Sequence, residues 1–133
     1  MSERLNFESL PQLVETEEAL EELVSRPTQG LVDDLAALDG DIIVLGVAGK
    51  VGPSLARMAK RAAPDKRVIG VARFSDAGLR DELEQWGIET IKCDLLDRAA
   101  LAELPKIANV IYMAGKKFGT NEDPSFAWAM NTT

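Results

Sequence analysis

The sequence predicts an α/β domain whose parallel sheet is covered by helices on both faces, and three observations carry that expectation. Short β-branched runs recur along the chain without polar alternation, the mark of strands buried on both sides. Stretches of helical periodicity separate these runs. Each such stretch lies between one strand and the next, a spacing that implies right-handed β-α-β crossovers.

At 133 residues, with 46% apolar side chains, the chain is sized for one continuous core. No run approaches the ~20 apolar residues of a membrane helix. The opening, MSERLNFESL, lacks the basic-then-apolar order of a secretory signal, so the expectation is a cytoplasmic protein with no membrane partner. Cys93 is the only cysteine and histidine is absent, which excludes an intrachain disulfide and leaves a zinc site or a histidine-based triad without ligands or base. The net charge of −7 is unevenly spread. Residues 1–40 carry ten acidic and two basic side chains, residues 41–133 twelve and thirteen. So acidic a front repels DNA and RNA, and nucleic acid is not an expected partner; the near-neutral remainder accommodates a small phosphorylated ligand.

Two short helices are expected in the acidic segment, 1–40. Thr16 caps the first, Leu20, Leu23 and Val24 form its stripe, and Pro27 stops it. Thr28 caps the second, with Leu31, Leu35 and Leu38 as stripe and Gly40 just past its end. The remainder, 41–133, opens with DIIVLGV as a buried strand, followed by a helix with Leu55, Met58, Ala59 and Ala62 on one face and Pro53 in its first turn. RVIGVAR (67–73) is the second strand. The next helix takes Ser75 or Asp76 as cap, Leu79, Leu83 and Trp86 as stripe and Gly87 as stop. IETIKCD, DRAALAEL and ANVIYMAG (108–115) read as strand, helix and strand. Together these form a Rossmann-type half, about four parallel strands in the order 3-2-1-4. A further helix begins near Pro124 with Phe126, Trp128 and Met130. A chain stopping there leaves its fourth strand and those apolar side chains uncovered, so the expectation is a homo-oligomer or a fragment of a longer chain. Cys93, at a strand end, reads as a small buried hydrophobe.

VLGVAGKVG places Gly46, Gly49 and Gly52 between a buried strand and a helix, with Lys50 and Val51 between the last two. In a β-α unit that binds a dinucleotide, one glycine permits the turn out of the strand. The next removes a side chain that would block the pyrophosphate, and the third lets helix and strand pack closely. The helix N-terminus then offers amide hydrogens and a positive dipole end to the phosphates. The pattern therefore points to a phosphate or dinucleotide ligand.

The G-x-x-G-x-x-G spacing resembles the short-chain dehydrogenase/reductase superfamily, in particular its extended branch, the NAD-dependent epimerase/dehydratase family. CDLLD (93–97) resembles the family's Asp-Leu, which implies that Asp94 and Leu95 bound the adenine. YMAG (112–115) resembles its turn after the fourth strand, which implies that Ala114 and Gly115 run close to the ribose and pyrophosphate. FAWAMNT resembles the helix that carries N-V-x-G-T, which matches Asn131 to the family's asparagine. The resemblance spans roughly residues 41–133 and implies an NAD(P)-binding part of an oxidoreductase acting on a sugar nucleotide or similar substrate. The family's catalytic serine and Tyr-x-x-x-Lys pair fall beyond Thr133, so no catalytic residue is assigned and this chain alone is expected to bind without turnover. Tyr112 and Lys116 have the pair's spacing but flank a strand end, the wrong place for it. At the end of the second strand, where an acidic side chain suits NAD, stand Arg73, Phe74 and Ser75, which favours NADP; Asp76, three residues on, keeps NAD open. The alternatives are a non-catalytic NAD(P)-sensing or protein-interaction module whose acidic helices dock a partner, and a flavodoxin-like fold with a different ligand.

Overall fold

The computed structural model describes residues 4–6, 10 and 13–114. In chain order the elements are α1 (Glu17–Val24), α2 (Gln29–Ala37), β1 (Ile42–Leu45), α3 (Gly52–Ala62), β2 (Val68–Ala72), α4 (Ala77–Gln85), β3 (Glu89–Lys92), α5 (Arg98–Ala102) and β4 (Asn109–Tyr112). The strands form one parallel sheet in the order β3-β2-β1-β4, with Val44 opposite Gly70 on one side and Ile111 on the other. Chain direction across the sheet therefore reverses between β1 and β4. This is the Rossmann-type order expected from the strand and helix rhythm.

Strand alternation divides the interior into two cores. Ile42 and Val44 pack with Ala56 and Ala59 of α3 and Leu83 of α4, whereas Ile43, Ile69, Val71 and Cys93 face Ala100 and Leu101 of α5. Helices thus cover both faces, and β2, buried along its whole length, is the centre of the molecule. Gly70 in that strand makes room for Val47, whose Cγ1 lies 3.0 Å from where a Cβ would stand.

Two stripes differ from the sequence expectation. The buried face of α3 is Gly52, Ala56, Ala59 and Ala62, and Leu55 and Met58 are only half-buried. Small residues there bring the helix close to the sheet at β2, and the longer side chains flank the contact. In α2, Leu31 and Leu35 are half-buried but Leu38 has left the helix as its C-cap, with extended backbone and 38% exposure. Gly40 accordingly serves the link into β1: its φ is +88°, and a Cβ on it would stand 2.6 Å from the Ala108 Cβ.

Thr16 and Thr28 cap α1 and α2 as expected, accepting hydrogen bonds from the amides of Ala19 and Leu31. What holds α1 down is polar. The Glu22 carboxylate receives Arg26 at 2.7 Å and Arg61 of α3 at 2.8 Å; Arg61 also donates to the Ser25 hydroxyl at 2.8 Å and the Glu22 carbonyl at 2.7 Å. The Ser54 hydroxyl of α3 donates to Glu21 at 2.7 Å. Of the stripe that the periodicity assigned to packing, Leu23 is half-buried, while Leu20 and Val24 are each 49% exposed.

β4 stands at the end of the sheet, with Val110 57% and Tyr112 42% exposed. Phe126, Trp128 and Met130 lie outside the described residues. No helix among the described residues is long and apolar enough to cross a membrane.

Candidate functional site

The carboxyl ends of the four strands open onto one cleft of about 420 Å³, within the usual size range of small-molecule sites. Its floor is fixed by hydrogen bonds that extend the sheet into the loops. Gly46 and Val47 both donate to the Val71 carbonyl, at 2.8 and 3.1 Å, while Cys93 donates to Ala72 and Met113 to Leu45, each at 2.8 Å. The strand exits are thereby held side by side.

The three loop glycines have three different surroundings. Gly46 has φ +85°, and a Cβ on it would stand 2.6 Å from the Ala114 amide nitrogen, so it turns the chain where β1 and β4 leave the sheet together. Gly52 packs against Val47 so tightly that a Cβ would overlap the Val47 carbonyl. Around Gly49, its chain neighbours aside, the nearest heavy atom to such a Cβ among the described residues is the Gly46 carbonyl, at 3.9 Å, and no other atom of those residues lies within 4 Å. Of the three, Gly46 and Gly49 line the cleft, whereas Lys50, Val51 and Gly52 fall outside its lining. Lys50 and Val51 are exposed on the loop.

The helix that follows this loop has an open end. Side-chain oxygens of Thr16, Thr28, Asp76 and Asp97 cap α1, α2, α4 and α5; α3 starts at Val51 with no side-chain cap and with proline in its first turn. Its first amides keep their hydrogens unclaimed by a capping side chain, and the positive end of its dipole is uncompensated there.

At the end of β2, Arg73 and Ser75 are exposed and line the cleft with Asp76. One oxygen of Asp76 already accepts from the Gly78 amide at 2.9 Å as the cap of α4. Between them Phe74 is buried with φ +50°, a left-handed conformation costing an ordinary residue about 1–2 kcal/mol. Arg80 lies 5.7 Å over its ring. Phe74 was missed as a site residue, because nothing in an R-F-S sequence announces a left-handed turn at an aromatic residue. At the end of β3, Asp94 and Leu95 line the cleft, and Asp94 accepts the Leu96 amide at 3.0 Å, which fixes the turn. Cys93 also reaches the cleft wall; burial, then the nearby carboxylates of Asp97 and Asp94, push its thiol pKa up, contrary to what a reactive thiolate needs. Ala114 closes the site at the end of β4. Gly115, Lys116 and Asn131 lie outside the described residues. No group of three or more potential metal ligands occurs among the described residues.

The arrangement fits a ligand with linked phosphates. The cleft lies at the reversal point of a parallel sheet, the open backbone of Gly49 lines it, and an uncapped helix end follows that loop. Comparison with known families agrees: the model of the NAD dependent epimerase/dehydratase family matches residues 42–132. No curated protein matches the chain.

Proposed function

Because the chain belongs to the NAD dependent epimerase/dehydratase family, we propose that its cleft binds NADP or NAD as the cofactor-binding portion of an oxidoreductase acting on a sugar nucleotide or similar substrate. The observation that carries the reading is the open space at Gly49 in front of the uncapped α3, at the carboxyl ends of adjacent parallel strands.

In this reading the pyrophosphate lies against the backbone of 46–52, where the α3 dipole and the exposed Lys50 offset its charge. The adenosine end lies between the loop after β2 and that after β3, with Asp94 and Leu95 at the adenine and Ala114 and Gly115 beside the ribose and pyrophosphate. Val51 and Gly52 act from behind, setting the helix start. When bound, the nicotinamide supplies hydride transfer. The residues of this chain bind and orient it.

Arg73 supports NADP as the preferred form. A guanidinium at the end of β2 suits a 2′-phosphate, while the acidic candidate, Asp76, has one oxygen committed to capping α4. Calorimetric titration of NADP⁺ and NAD⁺ tests both parts. Binding heat for the wild type, abolished in Gly49→Trp, is the expected result; equal heats for the two proteins contradict the site. Arg73→Ala is expected to weaken NADP⁺ by about tenfold, the loss of one charge-assisted contact, with NAD⁺ little changed.

A further inference from the structure

The amphipathic pattern of α1 faces the wrong way for a helix whose only role is to cover a core. Such helices turn their apolar stripe inward. Here Glu21, Glu22 and the buried Ser25 meet the polar face of α3, at Ser54, Arg57 and Arg61, while of the stripe only Leu23 is half-buried and Leu20 and Val24, one turn apart, are each about half exposed. Five of the nine large apolar side chains exposed among the described residues fall within 10–24: Leu10, Leu13, Val14, Leu20 and Val24. Single exposed leucines are ordinary, but this concentration is not.

The ion pairs account for the orientation. Partly buried pairs add little net stability, yet they fix which way an element faces, because any other rotation strands a charge. Glu22 has Arg26 and Arg61, and Glu21 has Ser54 with Arg57 at 3.9 Å. Glu15, Glu17 and Glu18 are exposed and form no ion pair with any described residue, so they stand as negative charge in the same stretch of chain as the exposed leucines and valines.

We propose that the outer face of α1, with the segment 13–16 leading into it, docks a basic amphipathic segment of another protein. Its apolar side chains cover Leu13, Leu20 and Val24, and its lysines or arginines meet Glu15, Glu17 and Glu18. Charge decides between occupants. A second copy brings the same acidic segment, with ten acidic and two basic side chains in residues 1–40, and is repelled. The face is remote in sequence from the glycine loop, so this inference stands or falls apart from dinucleotide binding.

The probe is a fluorescein-labelled synthetic helix of leucine and lysine with an apolar stripe of 3.6-residue period, titrated with the intact chain and followed by anisotropy. Saturable binding that weakens with salt is expected. A leucine and glutamate peptide of the same pattern is expected not to bind. Leu13→Ser, Leu20→Ser and Val24→Ser together should weaken binding by about tenfold or more. Glu15→Gln, Glu17→Gln and Glu18→Gln together should flatten the salt dependence. Both variants change exposed positions, and circular dichroism confirms that they fold. No binding by the intact chain, or equal binding by the serine variant, overturns the proposal. So does sedimentation showing self-association of the chain that the serine variant abolishes, since that assigns the face to a second copy.

Discussion

The three loop glycines carry the same side chain and do different things, and substitution separates them. Gly49→Ala projects a methyl group into space left open by the described residues, so the fold is expected to keep its Tm, and in the proposed binding mode dinucleotide affinity falls because the methyl would stand where the pyrophosphate approaches. Gly52→Ala sets a methyl against the Val47 backbone, which cannot yield as a flexible side chain does, and is expected to cost about 1–3 kcal/mol of stability. Thermal melts of the two variants check the contrast. At the same scale Phe74→Ala removes a buried ring from the core and the partner of Arg80, with an expected loss of about 3–5 kcal/mol, offset in small part by relief of the left-handed strain. Glycine spacing was legible in the sequence because each glycine sits at a fixed step from the strand end. Phe74 was not, since its conformation is imposed by tertiary packing.

Among the elements, the attachment of α1 to α3 is the one whose strength should follow pH. The Glu22 carboxyl is lowered to about 2 from the ordinary 4.5, first by its hydrogen bond to Arg26, with Arg61 adding to it against the opposing effect of burial. A depressed carboxyl favours the folded state when ionised. Its stabilisation is therefore full above about pH 4.5 and is lost as pH falls toward about 2. The measurement is the Tm difference between wild type and Glu22→Gln across that range. A difference that is constant down to about pH 5.5, shrinks as pH falls through the ordinary 4.5 toward the folded value of about 2, and is gone about one pH unit below that is expected; a difference that stays at its neutral-pH size down to pH 2 contradicts an ionic clamp. Helix positions and caps were legible from the sequence at Thr16, Thr28 and Asp76, because cap chemistry is local. Which face each helix buries was less so. Periodicity located the stripe of α1 but not its outward direction, which depends on Arg61, 39 residues from Glu22. Likewise Leu55 and Met58 satisfy helical spacing, yet the alanines decide how close α3 comes to β2.

For the molecule as a whole, strand order follows from two habits of parallel sheets: right-handed crossovers, and burial of β-branched runs on both faces. Val44, Val47, Ile69 and Val71, each at most 1% exposed, are where those habits meet. The same topology puts every loop that lines the cleft at one end of the sheet, so the placement of Gly49, Arg73, Asp94 and Ala114 around one space was implied once the order was known. The open N-terminus of α3 was legible from the glycine loop, whereas the wall formed by Phe74 and Cys93 was not, since both were read only as packing or loop residues. A ligand held there binds only the folded chain, so NADP⁺ at 100 times its Kd should add about 2.7 kcal/mol to stability, read as a rise in Tm that Gly49→Trp removes.

The most direct test of the central claim is where the ligand touches the protein. In a titration of the ¹⁵N-labelled chain with NADP⁺, followed by amide chemical shifts, the largest changes are expected at Gly46, Gly49, Lys50 and Gly52 and at Arg73 to Asp76. Changes concentrated at Asp41, Arg67 and Asn109, at the opposite end of the same sheet, would contradict it.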